Sequence, residues 1–257
     1  MIRIGTSGYS YEDWVGPVYP EGTDKRDFLS FYAQKFDTVE VNYTYYRPPS
    51  ERTLGAIARK TGDSFVFTLK ATREMTLERS QEPNIYRQYV DALAPLIDAD
   101  KFGCVLLQFP NSFKLDKDNV NHLAFIREQW PMLPLIVEFR HRSWVEDERT
   151  FEFLREHKLG FCCVDQPQLD SLVPPIAVAT SDLAYVRFHG RNYEKWWQHD
   201  EAWERYDYLY SEAELKEWLP KVRELDEAAA TTYVLFNNHY QGQAVQNALE
   251  FAELLEQ

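Results

Sequence analysis

The chain has 257 residues, of which 44% are hydrophobic and 27% charged, and its formal net charge is −13. That length and balance fit a folded chain with a large core and exclude a disordered one. The acidity disfavours general attraction to nucleic-acid backbones, and no apolar run approaches the roughly 20 residues that span a bilayer.

Short apolar runs alternate with longer amphipathic stretches from the start. A strand is predicted over 2–6, and a helix over 27–36, where Phe28, Phe31 and Tyr32 fall at helical spacing. A strand over 38–42 and a helix over 51–60 follow, then a strand over 65–70 and a helix over 84–96. The pattern continues with a strand over 104–109, a helix over 119–129, a strand over 135–140 and a helix over 147–157. After a strand over 160–165, Pro167, Pro174 and Pro175 interrupt the pattern, so the sixth helix is expected to be short or missing. A strand over 184–189 leads into a long aromatic loop. Ser211 with Glu214 three residues on reads as a capping box opening a helix over 211–226. A last strand over 232–237 and a helix over 242–255 close the chain. Strands alternating with helices imply a parallel sheet. Eight strands, the length, and polar residues ending nearly every strand favour closure over an open doubly wound sheet. The fold class expected is α/β, a (β/α)8 TIM barrel over residues 1–257 as a single domain.

Strand side chains alternate between two faces, and in such a barrel the outward face meets helices. Val39 and Val41 outward leave Thr38, Glu40 and Asn42 inward. Phe65, Phe67 and Leu69 outward leave Lys70 ending the inward set, and Gln108 shares a face with Cys104 and Leu106. Val137 and Phe139 outward leave Glu138 and Arg140 inward; Val186 and Phe188 outward leave Tyr185, Arg187 and His189 inward. Asp165, on the face of Phe161 and Cys163, is assigned inward as well. The eighth strand ends in Asn237-Asn238, between which parity does not choose. These residues are expected on one inner surface near the C-terminal rim, where this fold carries active sites. The alternative is a self-satisfied ionic filling, such as Glu138 with Arg140 and Glu40 with Arg187.

Lys70, Arg140, Arg187 and Arg191 read as a receptor for an anionic small molecule, because guanidinium groups match phosphate or carboxylate in two-point contacts. Asn42, Gln108, Asn237 and Asn238 are candidate ligand-binding amides. Barrels often hold phosphate near strands seven and eight, which places Arg187, His189, Gly190 and Arg191 there. Glu138 is the preferred general base, and His189, with an ordinary pKa of about 6.5, the preferred acid or proton shuttle. Glu40 and Asp165 complete the candidate catalytic acids. No cofactor and no metal ligand set is predicted, since HxH and HExxH spacings are lacking and the nearby Lys and Arg repel cations; a divalent metal on Glu40, Glu138, Asp165 and His189 is the competing arrangement. No GxSxG elbow occurs, and the Gly5–Gly8 turn offers backbone N–H groups to an anion only as a weak signal. The loop from Arg191 to Tyr210 holds Tyr193, Trp196, Trp197, Trp203, Tyr206, Tyr208 and Tyr210. It reads either as docked on its own domain or as a lid for a ring-bearing ligand, with Tyr45, Tyr46 and Trp144 completing the wall.

The motifs also carry a resemblance. Gly5-Thr6-Ser7-Gly8-Tyr9 with Trp14, Val39-Glu40-Val41-Asn42 with Tyr46-Arg47-Pro48, Lys70-Ala71, and Gln108-Phe109-Pro110 with Ser112-Phe113 come in order. Glu138-Phe139-Arg140 with Ser143-Trp144, Tyr185-Val186-Arg187-Phe188-His189-Gly190-Arg191, and Phe236-Asn237-Asn238 follow. The chain thus resembles the YecE-like family, a widespread domain of unknown function, over essentially its whole length. The resemblance implies a TIM barrel and no established reaction. Tyr9 replaces a more usual Trp, Asn111 a Pro, and Tyr43 a more frequent Ser, changes that leave the charged set intact.

The leading functional reading is an enzyme, with a hydrolase as the reaction class considered first, acting on a phosphate-bearing small molecule or nucleic-acid fragment. Its rivals are a metal-dependent sugar isomerase or lyase and a non-catalytic barrel that binds a ligand or nucleic acid. The opening Met1-Ile2-Arg3-Ile4-Gly5 has no signal-peptide layout, and the three cysteines, Cys104, Cys162 and Cys163, show no CxxC spacing. A cytoplasmic protein with no membrane partner and neither a disulfide framework nor a zinc site is therefore expected.

Overall fold

Eight short runs rich in β-branched and aromatic residues pair in parallel around a computed structural model that describes residues 1–257. They are β1 (Ile2–Ser7), β2 (Thr38–Val41), β3 (Val66–Lys70), β4 (Phe102–Gln108), β5 (Leu135–Glu138), β6 (Leu159–Asp165), β7 (Leu183–Phe188) and β8 (Thr231–Phe236). Each pairs with the next, and β1 pairs with β8, so the sheet closes into a barrel in chain order. Closure requires near contact of backbones at one point. A Cβ on Gly5 would lie 2.3 Å from the Thr38 carbonyl oxygen, which is why that position of β1 is glycine.

The helices form an outer layer: α1 (Phe28–Tyr32), α2 (Glu51–Ala58), α3 (Arg73–Thr76), α4 (Pro83–Ala92), α5 (Ala94–Ile97), α6 (Lys117–Gln129), α7 (Arg149–Glu156), α8 (Glu212–Lys216), α9 (Leu219–Ala228) and α10 (Gln243–Glu256). The strand predictions hold to within two residues at each end. No helix lies between β6 and β7, as the three prolines imply. Two predicted helices are each broken in two. Pro95 at the start of α5 and Pro220 at the start of α9 lack an N–H for a continuing helix, so each restarts one. Ser211 caps α8 through the expected capping box with Glu214.

Val39, Val41, Phe67, Val137, Phe139, Val186 and Phe188 are all buried in one continuous apolar cluster with the helices. Phe139, for example, stacks on Trp144 at 4.1 Å between ring centroids. That outward packing fixes the opposite residues of the same strands inside the barrel. No helix is long and apolar enough to cross a membrane.

Candidate functional site at the barrel mouth

The inward set of β2, β5 and β7 meets in the middle of the barrel. Arg187, 1% exposed, crosses from β7 and divides its guanidinium between two carboxylates. Its Nη1 is 2.5 Å from Glu138 Oε2 and its Nη2 is 2.6 Å from Glu40 Oε1. Nη2 also donates to the Ser7 hydroxyl at 3.3 Å, and Tyr185 donates to Glu40 Oε2 at 2.8 Å. Both terminal nitrogens of Arg187 are therefore occupied. The expected pairing of Glu40 with Arg187 is present, and Arg187 is a floor to the site rather than an open anion ligand.

Above that floor, Arg140 Nε lies 2.7 Å from Glu138 Oε1, the second pairing expected from sequence. Its Nη1 reaches Gln166 Oε1 at 3.3 Å. Burial alone would raise the Glu138 pKa. Arg140, Arg187 and His189 overcome this and hold it well below the usual carboxylate range. A carboxylate so stabilised has little drive to take a proton at neutral pH, which counts against Glu138 as general base.

His189 is completely buried, and its Nδ1 lies 3.1 Å from the Asn237 amide nitrogen. That amide donates, so Nδ1 accepts and the ring proton sits on Nε2, 3.2 Å from Glu138 Oε1. Burial, then Arg140, pushes the His189 pKa down to about 3 against the opposing pull of Glu138. The imidazole is neutral at physiological pH. The expected shuttle is thus a fixed N–H donor, because its environment removes the titration near 6.5 on which that role depended.

Lys70 ends β3 one residue beyond the paired Val41 and Leu69, so it and Asn42 leave adjacent strands side by side. Its ammonium makes no hydrogen bond or ion pair within the protein; the Tyr45 ring lies 4.8 Å away. Burial, then Arg187, lowers its pKa to about 8, against the pull of Glu40 and Glu138. Asn42 Oδ1 is buried without a hydrogen-bond partner. Gln108 stands beside Glu138 in the β4–β5 register.

Other residues predicted for the site lie elsewhere. Asp165 points outward, into the helix layer. It accepts from Tyr210 Oη at 2.7 Å and Trp218 Nε1 at 2.7 Å, and pairs with Arg191 through Nε at 2.9 Å and Nη2 at 2.7 Å. Cys162, whose Sγ is 3.9 Å from Glu138 Oε2, is the inward residue of that strand. Arg191 also reaches Glu217 at 2.7 Å, so it is a structural clamp and not an anion ligand. Asn238 donates to Tyr208 O and Asn247 Oδ1, again outside the barrel. The Gly190 N–H donates to Tyr210 Oη, and the Gly8 N–H donates to Glu40 O, so neither is free for phosphate. Trp144 lies in the helix layer, its Nε1 donating to Phe113 O, and contributes nothing to the wall.

The aromatic loop is divided between two environments. Tyr208 and Tyr210 dock on the helix layer, while Trp196 and Tyr206 turn to the mouth. Arg140 lies 5.7 Å from the Trp196 ring, and His189 is 6.4 and 6.3 Å from the rings of Trp196 and Tyr206. Two participants escaped the sequence reading. Gln166, just past β6, is inward by parity once Cys162 is taken as the inward residue. His239 stacks on Tyr11 at 4.5 Å, and burial lowers its pKa to about 4. Its signal was adjacency to Asn238 alone.

Beside Lys70, a cleft of about 720 Å³ opens between the loops that follow β1 and β2. Glu40 and Asn42 touch its floor, Tyr9, Tyr11 and Tyr43 its walls, and Lys25 and Arg47 its edge. No group of three or more His, Cys, Asp or Glu is placed to hold a metal ion. Asp165 faces away, and the Glu40 and Glu138 carboxylates are turned to guanidinium groups, so the four-residue metal arrangement does not fit this geometry.

The protein-family model described as "Protein of unknown function DUF72" matches residues 3–257. The UPF0759 protein YunF of Bacillus subtilis is 32% identical, over 100% of this chain and 95% of its own length. The crystal structure of a DUF72 family protein from Thermotoga maritima superposes with a TM-score of 0.92 at 45% identity, covering 100% of both chains. One from Enterococcus faecalis gives 0.89 at 28% identity, over 100% of this chain and 96% of that one. A D-psicose 3-epimerase, at 12% identity and a TM-score of 0.53, covering 98% of this chain and 99% of that one, shares the barrel fold.

Proposed function

This chain belongs to the DUF72 family, and within it we propose an enzyme that binds a small phosphate-bearing ligand at the C-terminal mouth of the barrel. Charge carries the reading. Lys70, Arg140 and Arg187 bring three positive charges to the mouth, Glu40 and Glu138 two negative ones, and His189 is neutral. One surplus positive charge is thus held at the mouth, on a partly buried lysine that no protein group pairs. An anionic ligand across Lys70 and Arg140 would neutralise it. The Asn42 amide, whose Oδ1 has no partner in the protein, lines the cleft and suits a polar ligand. The tyrosine-lined cleft leaves room beyond the anion for a sugar or planar ring. The hydrolytic roles first assigned to Glu138 and His189 find no support in their ionisation, so the class of reaction is left to the residue that titrates nearest neutrality, Lys70.

Calorimetric titration of the protein with inorganic phosphate, ribose 5-phosphate and a nucleoside monophosphate tests the reading. Saturable binding that weakens tenfold or more in Arg140→Gln is expected. Failure of all three to bind the unaltered protein sinks it.

A further inference from the structure

We propose that Lys70 is a covalent catalyst, forming an imine with the carbonyl carbon of an aldehyde, ketone or 2-oxo acid whose anionic group is held by Arg140. This rests on the anion-site reading above and specifies the chemistry performed there.

An amine must meet three conditions to do this. It must be unpaired, reachable from a cavity, and neutral often enough to attack. Lys70 is the only member of the mouth's charged set that meets them. Glu40 and Glu138 are both held by arginines, so neither carboxylate is spent on the lysine. Lys70 is itself partly exposed, and Asn42, its neighbour on the adjacent strand, lines the cleft from which a carbonyl compound would approach. The Tyr45 ring at 4.8 Å covers one side and limits the water that would hydrolyse an imine. With a pKa of about 8, roughly one molecule in ten carries the neutral amine at pH 7, against roughly one in three thousand at the ordinary value.

The chemistry balances without another reagent. The ammonium releases a proton to solvent, and the nitrogen lone pair forms a C–N bond as the carbonyl π electrons move to oxygen. That oxygen takes up a proton, giving a carbinolamine. A second proton, from nitrogen, reaches the hydroxyl, the C–O bond breaks, and water leaves. The released proton is returned on the iminium nitrogen, so ammonium plus carbonyl become iminium plus water with charge unchanged. The iminium then acidifies the adjacent C–H or weakens an adjacent C–C bond. The substrate class is therefore a carbonyl compound bearing phosphate or carboxylate.

Borohydride reduction tests this directly, because it converts the imine to a stable secondary amine. The intact protein is incubated separately with dihydroxyacetone phosphate, with pyruvate and with uncharged dihydroxyacetone, reduced, digested and mapped by mass spectrometry. Modification at Lys70 at least tenfold above every other lysine is expected with one of the anionic probes, and much less with dihydroxyacetone. The better probe identifies the anion as phosphate or carboxylate. Lys70→Arg, checked for folding by circular dichroism, keeps the charge but loses the adduct. Phosphate binding without an adduct at Lys70 overturns the imine and leaves the anion site standing. An adduct spread evenly over exposed lysines also overturns it. Absence of both binding and adduct removes the two readings together.

Discussion

Two lysines sit at opposite ends of this barrel, Lys101 buried and Lys70 partly so, and the fold treats them differently. Lys101 precedes β4 at the N-terminal end and is 5% exposed. Its ammonium donates to Ala58 O at 2.7 Å, Thr61 O at 2.8 Å and Thr61 Oγ1 at 3.2 Å, so its donors cap the carbonyls behind α2. Lys70 ends β3 at the C-terminal mouth and donates to nothing in the protein. A residue whose hydrogen bonds are complete is explained by the fold. One left incomplete beside two arginines is a stability cost that the fold alone does not repay. The contrast follows the general division of this architecture, with stability at the N-terminal face and chemistry at the C-terminal one.

Glu138→Gln gives the largest expected effect. It leaves Arg140 and Arg187 without the carboxylate that both contact, at 2.7 and 2.5 Å. Loss of one partner of a buried ion pair typically costs about 3–5 kcal/mol, read as a fall in the urea midpoint. A loss below about 1 kcal/mol would mean that water reaches the arginines and that the mouth is not a closed ionic layer.

Lys101→Met comes next. It removes three charge-assisted hydrogen bonds from buried carbonyl and hydroxyl partners, and a stability loss of about 2–3 kcal/mol is expected. Phosphate binding, by calorimetry, should not change. Lys70→Met reverses both outcomes. Stability should stay within about 1 kcal/mol or rise, since a partly buried, unpaired charge is gone, while phosphate affinity falls tenfold or more. If the two lysines behaved alike in unfolding, the distinction between a structural and a functional end would fail for this chain.

The same comparison shows how far the sequence could be read. β2, β3, β5 and β7 have one apolar and one polar face, so parity placed Glu40, Lys70, Glu138, Arg140, Arg187 and His189 on the inner surface. β6 is buried along its whole length, Leu159 to Asp165, and its centre is a Cys162-Cys163 pair. Two identical neighbours and two apolar faces give the period no phase. Asp165 was therefore set inside, when Tyr210, Trp218 and Arg191 hold it outside. Arg191 was grouped with the mouth's cations by its place after β7, whereas it pairs with Asp165 and Glu217 in the helix layer. The pairings of Glu138 with Arg140 and of Glu40 with Arg187 were legible as an alternative to a ligand site, from their shared inner face. The ionisation of His189 was not legible. It depends on complete burial and on the distance to Arg140, and both are products of closure.

The smallest effect is a slope with pH, and it belongs to Lys70. The folded-state pKa of Lys70 is about 8, below its ordinary value near 10.5. Between those two values the unfolded chain binds more protons than the folded one, so this residue makes stability rise with pH across the window and adds no slope below it. The groups facing it are Arg187 and Arg140, which depress the pKa, and Glu40 and Glu138, which oppose them. The measurement is urea unfolding from pH 7.5 to 10 on the unaltered protein and on Lys70→Met, with other titrations cancelling in the difference. That difference should move in favour of the unaltered protein as pH climbs. Phosphate affinity should fall over the same range, because the ammonium that attracts the anion is being lost. Free protein and phosphate complex thus respond to alkali in opposite directions. If the two curves fell together instead, the ammonium of Lys70 would be paired in the folded protein.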